Sequence, residues 1–230
     1  VDLDAHHGDG VQWIFYEEPA VLTVSLHESG RYLFPGTGAT YETGKGRGRG
    51  AAVNVPLEPY TEDESFLEVL ELVVPTALRR FAPDLIVLQA GADMHAHDPL
   101  ADMHLTLAAM RRRYERLVEL AEELTGGRIV VTGGGGYDPY RTVPRAWGHA
   151  WAALTGTQLP PDLPTRWREQ WLESLGSLAT NLPQHAYDDP ATFAPQPRRA
   201  AISRRNRLVA SRTMSTLNEL WNSTGKDGGR

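Results

Sequence analysis

Two short apolar runs, residues 85–89 and 129–132, flank a longer stretch in which Leu105, Leu107, Leu117, Val118, Ala121 and Leu124 recur at helical spacing before Gly126-Gly127. Runs of four or five apolar residues suit strands, and the amphipathic stretch between them suits a helix closed by glycine. The same alternation extends through the first half of the chain. Strands are expected at residues 1–6, 20–27 and 51–56. Helices are expected at 61–81, opened by the capping box Thr61-Glu62-Asp63-Glu64, and at 142–155 and 166–175. Strands alternating with helices of this length predict an α/β fold, three layers deep, with a mostly parallel central sheet and helices on both faces. The strand runs are apolar throughout, as strands buried on both faces are. In the 105–124 helix, Arg111, Arg112, Arg113 and Arg116 are expected on the outward side.

Bulk properties narrow the function. The 230 residues are 41% hydrophobic and 23% charged, enough for one α/β domain. Cysteine is absent, so any metal must be held by His, Asp or Glu. The formal charge of −6 makes the body a poor partner for nucleic acid or an anionic membrane. Residues 196–230 carry a local charge of +6, leaving −12 on the rest. The economical reading is a helix around 204–221, with Leu208, Leu217, Leu220 and Trp221 docking on the acidic body. The chain divides at two composition shifts into 1–156, a proline-rich segment 157–195, and the basic 196–230. No apolar run reaches the roughly 20 residues of a membrane span, and a cytoplasmic location is expected. The chain opens in strand-like sequence without Met, as a segment of a longer protein would.

Three motifs carry chemistry. In Asp2-Leu3-Asp4-Ala5-His6-His7-Gly8-Asp9-Gly10, strand alternation projects Asp2, Asp4 and His6 from one face, and the strand runs into a glycine turn. Carboxylate and imidazole at the carboxyl end of a strand are convergent ligands for a divalent metal, in the place where open α/β sheets bind ligands. A catalytic site needs a third ligand and an open position. The 85–89 run ends in Ala90-Gly91-Ala92-Asp93, which offers Asp93, with His95, His97 and Asp98 as competitors. The third motif, Gly133-Gly134-Gly135-Gly136-Tyr137, lacks the residues of a phosphate loop. It suits close approach of backbone to a ligand, with a phenol to stabilise an oxyanion; the bland alternative is a turn with Tyr137 packed in the core.

Together with Phe34-Pro35-Gly36-Thr37-Gly38, Val53-Asn54-Val55-Pro56 and Asp98-Pro99, these motifs resemble the histone-deacetylase superfamily, most closely the bacterial acetoin-utilisation-type deacetylases. The resemblance runs from Val1 to about Gly156 and implies an arginase/deacetylase-like fold that lacks its N-terminal part. It also implies a zinc-dependent hydrolase that removes acetyl groups from an acetylated protein lysine or a small acetylated amine. Asp4, His6 and Asp93 would hold one Zn2+, Tyr137 would stabilise the oxyanion, and Phe34, Leu100 and Gly135 would line the substrate tunnel. A K+ ion would sit among Asp2, Asp4, His6, Ser25 and Leu26. A second cation would use backbone near Phe15, Glu18, Val21 and Ala51. Asp2 and Asp9 match the carboxylates that orient a catalytic His-His pair, which the resemblance puts upstream of Val1. His7 and His27 are not assumed to replace that pair.

Two other readings compete. An arginase-like dinuclear site needs further carboxylates where Gly8 and His95 stand. A non-catalytic binding module of the same fold has no need of stoichiometric metal.

Overall fold

The computed structural model describes residues 1–176, 181–188 and 193–224. Strands β1 (Thr23–Glu28) and β2 (Ala52–Leu57) pair in parallel, as do β3 (Ile86–Gln89) and β4 (Ile129–Thr132). The first three residues join the two pairs. Asp2 bridges Ser25 on one side and Gln89 on the other. The amide of Asp2 donates to the Val24 carbonyl at 2.7 Å, and that of Leu3 donates to the Gln89 carbonyl at 3.1 Å. The result is a parallel sheet in the order β2, β1, residues 1–3, β3, β4. The segment expected as a strand over 1–6 is therefore extended only at its start. Beyond Leu3 it bends, although the Ala5 carbonyl still accepts from the Glu28 amide at 2.9 Å, and Asp4 and His6 are turned toward each other.

Among the described residues there are six α-helices: α1 (Asp9–Ile14), which was not expected, and α2 (Asp63–Phe81), α3 (Leu107–Thr125), α4 (Val143–Thr155), α5 (Thr165–Leu175) and α6 (Arg199–Thr224), which follow the expected pattern. Helix α2 packs against β1, and α3 against β3 and β4. Leu3, Leu26, Val53, Val55, Phe66, Leu70, Leu88 and Met110 form the continuous core between them. Helix α6 lies across α2 and β2, burying Asn206, Ala210, Thr213 and Leu217. Its basic side chains meet the acidic body as expected, with Arg205 on Glu58 at 2.9 Å and Arg207 on Glu68 at 2.6 Å.

Four local expectations are corrected. The capping box does not form: the Thr61 hydroxyl donates to the Glu58 carbonyl at 2.6 Å, and Glu62 caps α2 without a side-chain bond. Asp63 instead accepts from the amide and hydroxyl of Thr106, tying the starts of α2 and α3 together. Strands β3 and β4 are not buried on both faces. Ile86 and Leu88 point into the core, but Val87 is 49% and Val130 48% exposed, because α3 covers only one side. Leu208 does not dock with α6, since the helical period carries it to the outer side, 71% exposed. Arg113 is not outward but fully buried. Its position matches the stripe of Met110, Leu117 and Leu120, at helical steps of three and four.

Candidate metal centre

The turn after Leu3 and the loop after β3 bring three candidate ligand side chains together. Ligand atoms of Asp4, His6 and Asp93 lie within 4.8 Å of one another. His6 Nδ1 is 2.8 Å from Asp93 Oδ2 and 3.1 Å from Asp4 Oδ1. The second Asp93 oxygen accepts from the Ala5 amide at 2.8 Å, and Asp4 Oδ2 accepts from Gln89 Nε2 at 2.6 Å. Both carboxylates are thus oriented by neighbours, and their remaining lone pairs face the imidazole. Asp93 is wholly buried, Asp4 nearly so, and His6 is part-exposed, so the cluster opens to solvent on the His6 side.

The three side chains perturb one another strongly. Hydrogen bonds to Asp4 and then Asp93 raise the His6 imidazole to about 10. Burial, then the charge of Asp4, raises Asp93. Burial also pushes Asp4 upward, but hydrogen bonds led by that from His6 outweigh it and hold this carboxyl below the usual range. Asp2 rises to about 7 through burial and the nearby Asp4. Two buried carboxylates beside an imidazole form a site that a divalent cation would charge-balance, in competition with a proton. The donor set fits zinc: two oxygens, one nitrogen, no thiolate and one accessible side.

Glycine is required at two points. A Cβ on Gly135 would stand 2.1 Å from Asp93 Oδ2 and 2.8 Å from Asp4 Oδ2, and one on Gly91 would stand 2.6 Å from the Asp4 Cα. The Gly135 amide donates to Asp4 Oδ2 at 2.5 Å, and its carbonyl accepts from the Ala92 amide at 2.6 Å. The tetraglycine loop therefore lies directly on the ligand carboxylates, the close backbone approach that the sequence suggested.

Tyr137 follows this loop. It is 45% exposed rather than packed in the core, with its ring edge-on to His6 at 6.0 Å between centroids. Among the described residues its hydroxyl has no hydrogen-bond partner. Its backbone amide donates to Asp98 Oδ2 at 2.8 Å, and the Leu100 amide donates to Asp98 Oδ1 at 2.9 Å. Asp98 thus anchors the loops of Tyr137 and Leu100. His95 also faces away from the ligand cluster, with Nε2 on Asp188 at 3.0 Å and Nδ1 near Thr142. Phe34 and Leu100, expected at a tunnel wall and rim, are both exposed.

The other expected residues are placed unevenly. Asp2 accepts from the Asp4 amide at 3.1 Å and lies beside Ser25 and Leu26 in the sheet. Asp9 lies at the start of α1, outside the cluster, and accepts from the Gly10 amide at 2.8 Å. The carbonyls of Phe15, Glu18 and Ala51, suggested for a second cation, each accept a backbone hydrogen bond. Both ring nitrogens of His7 are engaged, by Thr37 at 2.8 Å and Gln12 at 3.2 Å. Those of His27 are engaged by Ser25 at 2.8 Å and the Gly38 carbonyl at 3.0 Å.

Three supporting residues were not singled out from sequence. Gln89 bridges Asp4 Oδ2 and the Gly91 amide. Arg113 reaches from α3 to the Leu3 carbonyl at 2.8 Å and to the Gly91 carbonyl, bracketing the ligand segments from behind. Asp188 gathers His95, Arg145 at 3.2 Å and the Leu107 amide at 2.7 Å. A polar residue ending an apolar strand marks Gln89, and the helical stripe marks Arg113. Asp188 has no local signal, because its partners lie 43 to 93 positions away in sequence.

Comparison with known proteins gives this geometry its context. A histone deacetylase domain model matches residues 1–154. The acetoin utilization protein AcuC of Bacillus subtilis is 40% identical over 218 residues, and that of Staphylococcus xylosus 42% over 216; each alignment covers 94% of this chain. The chain spans 55% of the length of each of these relatives. A crystal structure of an HDAC homolog complexed with SAHA superposes with a TM-score of 0.72 at 30% identity, covering 89% of this chain and 55% of that one. The fold is thus the α/β architecture of the arginase/deacetylase type that the motifs implied.

Proposed function

We propose that this chain, which belongs to the histone deacetylase family, carries the metal centre of a zinc-dependent hydrolase that removes acetyl groups from acetylated lysine or a similar acetylated amine. One observation carries the reading: Asp4, His6 and Asp93 converge beneath a glycine loop that ends in a tyrosine with an unengaged hydroxyl. A zinc ion bound there would supply a Lewis acid to polarise the acetyl carbonyl and to acidify a neighbouring water.

The chain's own residues do the rest. Asp4 and Asp93 arrive already oriented by Gln89 and the Ala5 amide, so little reorganisation is needed to bind the metal. Tyr137 donates to the carbonyl oxygen as it gains charge, an interaction stronger in the transition state than in the ground state. Phe34 and Leu100 give the aliphatic part of an acyl-lysine an apolar wall, and Gly135 leaves room for it. Asp2, Ser25 and the backbone of His6 and Leu26 surround the place proposed for K+, whose charge would offset that of Asp2 and Asp4. His7 and His27 have both nitrogens committed and are not assigned the proton transfers.

An arginase-like dinuclear site is disfavoured, because His95 points to Asp188 and Gly8 offers no ligand. A nucleic-acid role for the basic tail is disfavoured by the pairing of Arg199, Arg205 and Arg207 with Glu62, Glu58 and Glu68. No described helix is long and apolar enough to cross a membrane; with the lack of cysteine, this accords with a cytoplasmic protein.

The test uses protein of the relatives' full length. It should bind one zinc per chain and release acetate from an acetyl-lysine peptide. Tyr137→Phe should lower kcat by on the order of a hundredfold with zinc unchanged. Two metals per chain, none, or a loss under about threefold would refute the assignment.

A further inference from the structure

Beside the loop that carries Phe34 lies a groove of about 730 Å³ that the deacetylase reading does not use. Residues 29–31 and 36–42, with Pro56 and Glu58, form one side, and the outer stripe of α6 the other. On that stripe Arg205, Leu208 and Arg212 follow at steps of three and four, so they share a face. Arg31 and Gly36 both line the groove and bracket Phe34 in sequence, so the groove begins at the loop assigned to the tunnel wall.

The charges in the groove do not cancel. Glu58 is matched by Arg205 at 2.9 Å. The Glu42 carboxylate is turned to the amides of Gly38 and Ala39, each at 3.1 Å, and to Gln12 Nε2 at 2.7 Å, and three arginines against two carboxylates leave the lining with one positive charge in excess. The guanidinium groups of Arg31 and Arg212 make no ion pair or hydrogen bond among the described residues, and both are exposed. The large apolar side chains of the lining are also uncovered, Tyr41 at 80% and Leu208 at 71% exposed, and on the adjoining loop Tyr32 and Phe34 are open to solvent as well. Exposed aromatics interleaved with arginine are the composition of protein-binding surfaces, where the rings anchor and the charges select. A small acetylated amine would occupy the tunnel and leave this surface empty.

We propose that the groove docks an acidic segment flanking the acetylated lysine of a protein substrate, with Arg31 and Arg212 as the selecting charges. The proposal rests on the deacetylase reading for its placement beside the tunnel, and it narrows the substrate from any acetylated amine to an acidic protein region. Because the arginines are exposed, their effect falls with salt and appears mainly in binding rather than in the chemical step.

The experiment measures fluorescence anisotropy of labelled peptides with the zinc-loaded chain. Each peptide holds one acetyl-lysine flanked on both sides by Glu/Asp, by Ser/Gly or by Lys. The acidic peptide should bind about tenfold tighter than the neutral one at low salt, a preference that shrinks to about twofold near 0.3 M salt. The double variant Arg31→Glu/Arg212→Glu should abolish the preference while its circular dichroism stays native. Arg112→Glu, on the surface of α3 where Arg112 pairs with Glu119, should retain it. Equal binding of acidic and neutral peptides would overturn the proposal, as would a preference that survives the double variant. Tighter binding of inorganic polyphosphate, in competition with the acidic peptide, would overturn it in favour of a phosphate site. Replacing acetyl-lysine by Ala separates the two readings. If affinity then persists but still depends on Arg31 and Arg212, the groove stands and the deacetylase assignment loses support. If affinity needs the acetyl group but not the flanks, the groove proposal fails alone.

Discussion

Arg113→Met tests whether the metal ligands are held from behind. The guanidinium is fully buried in α3 and donates to the carbonyls of Leu3 and Gly91 and to the Tyr114 hydroxyl at 2.9 Å. Met keeps most of the stem's packing but removes every donor. Leaving two buried carbonyls unpartnered costs about 1–3 kcal/mol each. Against this, no acid pairs with Arg113 among the described residues, so its removal relieves the desolvation of a buried charge, itself worth several kcal/mol. The carbonyl losses total about 2–6 kcal/mol and this relief offsets part of them, giving a net destabilisation of about 1–3 kcal/mol. At about 2–4 °C per kcal/mol for a chain of this size, Tm should fall by roughly 2–12 °C. Leu3 precedes Asp4, and Gly91 packs on the Asp4 backbone. Zinc affinity should therefore fall further than stability alone predicts, by about tenfold or more, as for loss of an outer-shell partner. Arg113→Lys, with one ammonium to span two carbonyls, should recover only part. The assay is differential scanning calorimetry with zinc titration against a chelator of known affinity. Unchanged Tm and unchanged zinc affinity in Arg113→Met would refute the buttress.

Three further outcomes are expected. Gly135→Ala places a Cβ on the ligand carboxylates and should cost most of the bound zinc by elemental analysis, with secondary structure retained by circular dichroism. Asp188→Asn should destabilise by about 3–5 kcal/mol in urea unfolding, since it leaves the buried Arg145 charge uncompensated. Burial, reinforced by His7, lowers His27 from 6.5 to about 3. The unfolded chain therefore takes up this proton first. The His27 contribution has no effect above about pH 6.5 and erodes stability as pH falls toward 3, by up to about 5 kcal/mol. His27→Gln should flatten the dependence between pH 6 and 4 by about 1.4 kcal/mol per pH unit; an unchanged slope would show that His27 accepts a proton in the folded state.

The sequence by itself determined the order of the elements and most of the ligand set. Apolar runs of four to six residues alternating with amphipathic stretches leave few choices but a parallel α/β sheet. Side-chain alternation at a strand end is a local property, so Asp4 and His6 were legible as a pair, as were the glycines beside Tyr137. Asp93 was legible as one of several candidates, because Asp93, His95, His97 and Asp98 all follow the same strand and only their final directions separate them. Tertiary structure separates their directions: Asp98 turns to the Tyr137 amide, His95 to Asp188, and Asp93 to His6, which favours Asp93 as the proposed third ligand. It also decided burial. Arg113 stands on the buried helical stripe, but its charge read as surface until the carbonyls of Leu3 and Gly91 stood opposite it. Leu208 read as core until the period of α6 was fixed by Asn206, Ala210, Thr213 and Leu217. The common reason is range. Periodicity and propensity act over a few residues, whereas the partners of Arg113 and Asp188 are chosen by packing between segments 22 to 110 positions apart.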